Sequence, residues 1–165
     1  MTRSHVLLAL AAFALVNVGG ARAKGQQTPP PTFHTAAPLS ADDKKHLLND
    51  TFTVVKTVRE MPISVKKLLI PDTKTIASGM ADAGQEFRAT DVVIKELPRR
   101  RLVLAAVNAR YCLVYLEQGG RGYSQHVILF RLQSGRATRV WGSYLFAHPP
   151  LTFLELRAAL KSEKR

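Results

Sequence analysis

The second half of the chain contains runs of hydrophobic and polar positions that are rich in residues favouring β-strands, and one side of each run is mostly apolar. Four such runs cover residues 102–108, 111–118, 123–133 and 137–146. The connections between them are two to four residues long. Connections this short join antiparallel strands, so the pattern predicts an antiparallel meander with one face against helices.

The first half of the chain shows helical spacing instead. Ser40 is a good N-cap residue, and the acidic residues that follow it suit the first turn of a helix. Apolar residues then recur at helical intervals, which predicts a helix over residues 41–60. The β-branched residues in 51–58 weaken that prediction, because their side chains are restricted in a helix.

A second, shorter helix is predicted after Pro62, because proline ends the preceding helix and is well placed at the start of the next. Val65, Leu68 and Leu69 would face the core. Residues 72–90 contain few apolar side chains and are predicted to be mainly loop.

Two further elements complete the predicted domain. Residues 91–95 are predicted to form a short strand before the meander. Thr152 and Glu155 have the spacing of a capping box, which predicts a closing helix to about residue 161. The fold class is therefore α+β, with N-terminal helices packed on a four- to five-stranded antiparallel meander and a closing C-terminal helix.

The N-terminal residues have the three parts of a secretory signal peptide. Arg3 precedes an apolar run at 6–16, and a small-x-small motif ends at Ala23. We expect cleavage near Ala23 and export to the periplasm or the medium. An uncleaved anchor is the alternative, but the run is shorter than the roughly 20 apolar residues that span a bilayer.

The remaining chain divides into a linker and one domain. Residues 24–38 are rich in proline and poor in apolar residues, so they are predicted to be a linker after the signal peptide of residues 1–23. Residues 39–165 form a single predicted α+β domain. No second apolar segment approaches the length of a membrane span, so the mature form is expected to have no transmembrane segment.

The charge of the chain points to anionic partners. The sequence has 24 Lys and Arg against 12 Asp and Glu, a formal net charge of +12. Loss of Arg3 and Arg22 with the signal peptide leaves +10. Such an excess attracts anions without specifying a fold. We expect an anionic partner, which could be lipid head groups, a polymer of the cell envelope or an acidic protein.

Several classes of chemistry lack support in the sequence. Cys112 is the single cysteine, so no internal disulfide forms, and its apolar surroundings indicate a buried side chain. The histidines lack the spacing of a metal motif, and no cofactor fingerprint is present. Aromatic residues lie among arginines in the strands, but no nucleic-acid-binding signature accompanies them, and nucleic acid is not an expected partner of an exported protein.

The stretch EQGGRGYS, residues 117–124, has three glycines and raises the question of a phosphate-binding loop. Such a loop leads into a helix N-terminus, where backbone N–H groups converge on the anion. Here a predicted strand follows instead. The stretch is therefore predicted to be a hairpin turn, in which glycine supplies positive φ angles.

Arginines from distant parts of the sequence are expected to meet at that hairpin. In an up-and-down meander, the entry to the first main strand and the second hairpin lie at the same end of the sheet. Arg99, Arg100 and Arg101 mark the entry, and Arg121 lies in the hairpin. These four are the candidate anion-binding residues. A solvated basic rim without a ligand is the alternative.

Glu117, Tyr123 and His126 are weaker candidates for a pocket. Glu117 and His126 lie near the same turn on adjacent strands, where a shared cavity would make them a general acid–base pair. Strand alternation argues against the pair, because it places His126 with the apolar residues and Glu117 on the opposite side. No catalytic residue and no metal ligand is assigned.

Two hypotheses for function follow. The first is a small, basic, non-catalytic exported module that binds an anionic partner. The second is a cone-shaped small-ligand-binding protein or small enzyme with a pocket between helices and sheet. The sequence leans against an enzyme and leaves the oligomeric state, the ligand and the partner open.

Overall fold

A computed structural model describes residues 32–35, 38–70, 78–92, 94–146 and 152–162. The predicted signal peptide and residues 24–31 of the predicted linker lie outside the described residues. Three helices and seven strands occur in the described part, in the order β1 (Thr32–Thr35), α1 (Ala41–Asn49), β2 (Thr53–Val55), α2 (Ile63–Leu69), β3 (Met80–Ala81), β4 (Arg100–Val107), β5 (Tyr111–Gln118), β6 (Ser124–Gln133), β7 (Arg136–Phe146) and α3 (Phe153–Ser162).

All seven strands belong to one sheet. Six follow the order β1-β7-β6-β5-β4-β2, and every neighbouring pair is antiparallel. The two-residue β3 pairs in parallel with the start of β4. The four predicted strands are confirmed as β4 to β7, and the α+β class is confirmed with them. The edge strand β1 lies inside the segment predicted to be a linker.

Helices cover both faces of the sheet, which corrects the expectation of one covered face. On the α1/α3 face, Leu47 and Leu156 belong to a cluster with Leu113 of β5. On the α2 face, Val65 belongs to a cluster with Val114 of β5. The reason is visible in β5, which reads YCLVYLEQ and has apolar side chains in successive positions. A strand with two apolar sides requires a partner layer on each.

The first predicted helix is correct only in its first half. Ser40 is the N-cap, its Oγ accepting a hydrogen bond from Asp43 N at 3.1 Å, but α1 ends at Asn49. The β-branched residues that follow form the edge strand β2 against β4. Their preference for extended backbone, together with an available edge on β4, outweighs the helical spacing.

Two expectations around α2 also change. The helix is present after Pro62, but it buries only Val65 and Leu69, and Leu68 is 53% exposed. Val65 and Leu69 are four positions apart and share one side of the helix, whereas Leu68 is turned about 100° from Leu69 around the helix axis. The strand predicted at 91–95 is absent from its described residues, which form a bend and a turn. The short β3 pairs with the start of β4 in its place.

The closing helix is confirmed, together with its capping box. Thr152 N donates to Glu155 Oε2 at 3.0 Å, and Glu155 N donates to Thr152 Oγ1 at 3.2 Å. Each side chain satisfies a backbone N–H that the helix itself leaves free. The buried side chains of α3 include Phe153, Leu156 and Leu160, the stripe expected from the spacing.

A buried carboxylate links α1 to the sheet through hydrogen bonds. Asp43, 3% exposed, accepts hydrogen bonds from Ser40 Oγ at 2.6 Å, Tyr111 Oη at 2.8 Å and Arg131 Nη2 at 2.7 Å. We call these four residues the Asp43 cluster. Burial alone would raise the pKa of Asp43, but the hydrogen bonds from Arg131, Ser40 and Tyr111 outweigh it and hold the pKa below its ordinary value.

Cys112 lies near the start of β5, an inner strand of the sheet, and is fully buried on the α2 face. Burial raises the pKa of its thiol to about 12. A reactive cysteine needs a lowered pKa and access to solvent. Cys112 has neither, so its role here is that of a small apolar side chain.

Candidate functional site

The strand register shows which of the four candidate arginines lie at the same end of the sheet. Arg100 pairs with Gln118, and Arg99 O accepts a hydrogen bond from Gly119 N at 2.9 Å. The entry to β4 and the hairpin with Arg121 therefore lie side by side. Arg99 and Arg121 are both exposed there.

The side chains of Arg100 and Arg101 diverge, however, because successive residues of a strand point to opposite faces. Arg101 Nε donates to Glu117 Oε2 at 2.6 Å, and its guanidinium stacks over the ring of Phe87 at 4.5 Å. Arg100 Nη1 donates to Leu69 O at 2.5 Å, at the C-terminus of α2. The four candidate arginines thus share one end of the sheet but not one binding site.

Gly119 sets the position of this hairpin. A Cβ on Gly119 would collide with the carbonyl oxygen of Arg88 and the backbone of Ala89. Only glycine permits that close approach of two backbones. The glycines of EQGGRGYS therefore form a turn, and β6 follows directly, as expected for a hairpin rather than a phosphate-binding loop.

Glu117 is the centre of a hydrogen-bond network on the α1/α3 face. Besides Arg101, it accepts from Tyr123 Oη at 2.5 Å. Gln125 links the two tyrosines of the network, its Nε2 donating to Tyr123 Oη at 2.7 Å and its Oε1 accepting from Tyr115 Oη at 3.1 Å. Burial raises the pKa of Tyr123, and its hydrogen bond to Glu117 adds to the shift. The carboxylate is thus held by two donors of the chain itself.

His126 lies on the other side of the sheet from Glu117. Its cross-strand partner is Leu116, whereas Glu117 pairs with Gln125. Direct cross-strand partners point to the same face, so Glu117 and His126 point to opposite faces. Glu117, Tyr123 and His126 therefore do not line a common pocket, and the acid–base pair has no geometric basis.

His126 is half-buried on the α2 face. Its Nε2 is 2.9 Å from Ser124 Oγ, and its ring packs against Tyr144 with centroids 4.6 Å apart. Burial lowers the pKa of His126, and the positive charges of Arg100 and Arg139 lower it further. Two guanidinium groups thus lie close enough to this ring to act on its protonation.

Arg139 is the residue that sequence analysis missed. It pairs with Phe130, just beyond a β-bulge in β7, and its guanidinium lies over Gly142. A side chain at position 142 would occupy that place. Arg100, His126 and Arg139 together form what we call the basic face. The pairing of β6 with β7 was predictable, but nothing in the spacing indicated the bulge that turns Arg139 to this side.

The two arginines of the basic face differ from three other arginines of the sheet region in their counter-charges. Arg101, Arg110 and Arg131 each lie within 4.0 Å of a carboxylate oxygen, at 2.6, 3.3 and 2.7 Å. In the described part of the chain, neither Arg100 nor Arg139 forms an ion pair. The positive charge of these two side chains is therefore available to a partner.

The described residues give no sign of metal chemistry or of a membrane-spanning helix. Among them, no three His, Cys, Asp or Glu side chains come together in a group able to hold a metal ion. No helix in the same residues combines the length and the apolar character needed to cross a bilayer.

No protein-family model matches the chain, and neither a curated protein nor a solved structure matches it. The function is therefore inferred from the chemistry of the residues themselves.

Proposed function

We propose that this protein is an exported, non-catalytic module that binds an anionic partner through its basic face. The observation that carries the proposal is the placement of Arg100, His126 and Arg139 on one side of the sheet, with no carboxylate paired to either arginine among the described residues. Export rests on the predicted signal peptide of residues 1–23.

The electrostatics of the basic face favour an anion. The charges of Arg100 and Arg139 lower the pKa of His126, which means that they disfavour a third positive charge beside them. A bound anion would relieve that repulsion and would gain charge-assisted hydrogen bonds from planar guanidinium groups. The net charge of +10 expected after loss of residues 1–23 adds long-range attraction for the same partner.

Arg99 and Arg121 extend the proposed surface, because they are exposed at the same end of the sheet. Arg101 is left out of it, since its guanidinium is held by Glu117. The proposal thus keeps three of the four arginines selected from the sequence and adds Arg139.

The test is the binding of the chain from Lys24 onward to a soluble sulfated polysaccharide, measured by isothermal titration calorimetry at increasing NaCl concentrations. We expect binding that weakens with salt, as screening requires. The double variant Arg100→Gln/Arg139→Gln should bind about tenfold more weakly, a difference of about 1.4 kcal/mol.

Arg136→Gln is the matched control, because it removes one exposed arginine of β7 that pairs with Gln133 and points to the opposite face of the sheet from Arg139. We expect it to change affinity less than either Arg100→Gln or Arg139→Gln alone. Equal losses in all three single variants would mean that only net charge matters, and the basic face would not be the binding surface. Thermal unfolding of each variant checks that the fold is retained.

A further inference from the structure

Large apolar side chains are exposed on the outer side of α2. Ile63 is 63% exposed and Leu68 is 53% exposed, whereas Val65 and Leu69 of the same helix are buried against the sheet. Single exposed apolar residues are common on protein surfaces. Here two of them lie on one seven-residue helix, beside the basic residues Lys66 and Lys67.

The outer side of α2 is continuous with the basic face. Arg100 donates to the last turn of α2 through Leu69 O, and α2 lies on the same side of the sheet as His126. Tyr144, 51% exposed, packs against His126 on that side. Apolar, aromatic and cationic side chains thus lie together on one side of the molecule.

We propose that the anionic partner is a lipid surface, with Ile63 and Leu68 entering the headgroup region while the arginines and lysines contact anionic headgroups. This inference rests on the proposed function and names the partner class. Peripheral membrane proteins combine the same components, which are apolar side chains that enter the interface, cations beside them and aromatic rings at headgroup level.

The exposed Ile63 and Leu68 favour a lipid surface over a soluble polyanion as the partner. A hydrophilic polymer makes contacts with arginine and lysine but gives exposed isoleucine and leucine nothing to bury against. A bilayer provides both an anionic surface and an apolar layer beneath it. An acidic groove on another protein offers both as well, and the test below separates it from a lipid surface.

The test uses the chain from Lys24 onward in co-sedimentation with phosphatidylglycerol-containing vesicles and with pure phosphatidylcholine vesicles. We expect binding to the anionic vesicles and little to the zwitterionic ones. The double variant Ile63→Ser/Leu68→Ser should bind the anionic vesicles about tenfold more weakly and the sulfated polysaccharide as the unmodified chain does. Leu154→Ser is the matched control, since Leu154 is 76% exposed on α3, on the opposite face.

Each outcome separates the two proposals. Loss of vesicle binding in Ile63→Ser/Leu68→Ser with polysaccharide binding kept supports the lipid surface. Polysaccharide binding without vesicle binding by the unmodified chain overturns the lipid surface and leaves the proposed function intact. Vesicle binding that Ile63→Ser/Leu68→Ser and Leu154→Ser reduce equally also overturns it. Failure of Arg100→Gln/Arg139→Gln to weaken either kind of binding overturns the proposed function itself.

Discussion

The Asp43 cluster and the basic face both place an arginine near an aromatic side chain, but only the first contains a carboxylate. In the cluster, Asp43 accepts from Arg131 and Tyr111 and joins α1 to β5 and β6. On the basic face, the charges of Arg100 and Arg139 both act on His126 without an ion pair between any of them and a described carboxylate. The arginine of the Asp43 cluster therefore lies beside a negative charge, whereas the two arginines of the basic face do not.

The difference predicts that stability and the proposed anion binding depend on different parts of the sheet. A buried carboxylate with several donors links two elements, and its loss leaves polar groups without partners. Uncompensated cations at a half-exposed surface contribute little to folding, because water solvates them. Substitutions in the cluster should therefore change stability, and substitutions on the basic face should change binding.

Asp43→Asn gives the largest expected effect. The amide keeps the shape of the side chain but loses the charge that Arg131 and Tyr111 contact. We expect the free energy of unfolding to fall by about 2 kcal/mol, in line with hydrogen bonds to charged groups. Arg131 is 47% exposed as a side chain, so water limits the cost of leaving it unpaired. Urea denaturation measures the change.

Asp42→Asn is the control for that variant, because Asp42 lies in the same first turn of α1 but is exposed. It tests the charge near the helix N-terminus together with an exposed contact to His46 Nε2 at 3.7 Å, which we expect to contribute about 0.5 kcal/mol in all. Equal destabilisation by the two variants would show that the Asp43 cluster contributes no more than the helix dipole.

The pH dependence of stability gives an intermediate effect. The pKa of Asp43 in the folded protein lies below its ordinary value, so Asp43 stabilises the fold fully above the unfolded-state pKa of about 4. That contribution is lost as the pH falls through the folded-state pKa. Urea denaturation at pH 6 and pH 3 should show the gap between the unmodified chain and Asp43→Asn shrinking at the lower pH. A gap of constant size would contradict the assignment.

Arg139→Gln gives the smallest expected effect and reports on the basic face alone. Removal of one positive charge should raise the pKa of His126 towards its ordinary value, because Arg139 is one of the charges that lower it. NMR titration of the histidine ring protons measures this, with His126→Gln to assign the signal. Arg136→Gln should leave the pKa of His126 unchanged. An unchanged pKa in Arg139→Gln would place its charge too far away to act in the basic face.

Elements with strong local signals were predictable from the sequence. The capping box at Thr152 and the N-cap at Ser40 depend on residues within one turn, and both are confirmed. The four long strands follow from runs rich in β-favouring residues and from the short turns between them. The end of α1 was not predictable, because helical spacing and β-branched side chains compete in residues 51–58, and the free edge of β4 decides the outcome.

The candidate site was predictable only in its location. Strand order places Arg99, Arg100 and Arg121 at one end, but two bulges decide which side chains share a face. One lies between Leu102 and Leu104 in β4, and the other lies between Arg139 and Trp141 in β7. Each extra residue reverses the alternation that counting by two would give. If strict alternation were extended from the core residues past each bulge, the arginines beyond it would be assigned to the wrong face of the sheet.

The burial of Cys112 makes the rate of thiol labelling a measure of local opening in this protein. The chain has one cysteine, and its fully buried side chain lies on the α2 face near the start of β5. A thiol reagent in solution can react only after the residues that cover Cys112 on this face move away, so the rate of labelling reports how often the α2 face opens. Variants of the Asp43 cluster and of the basic face can be ranked on this kinetic scale without any introduced probe.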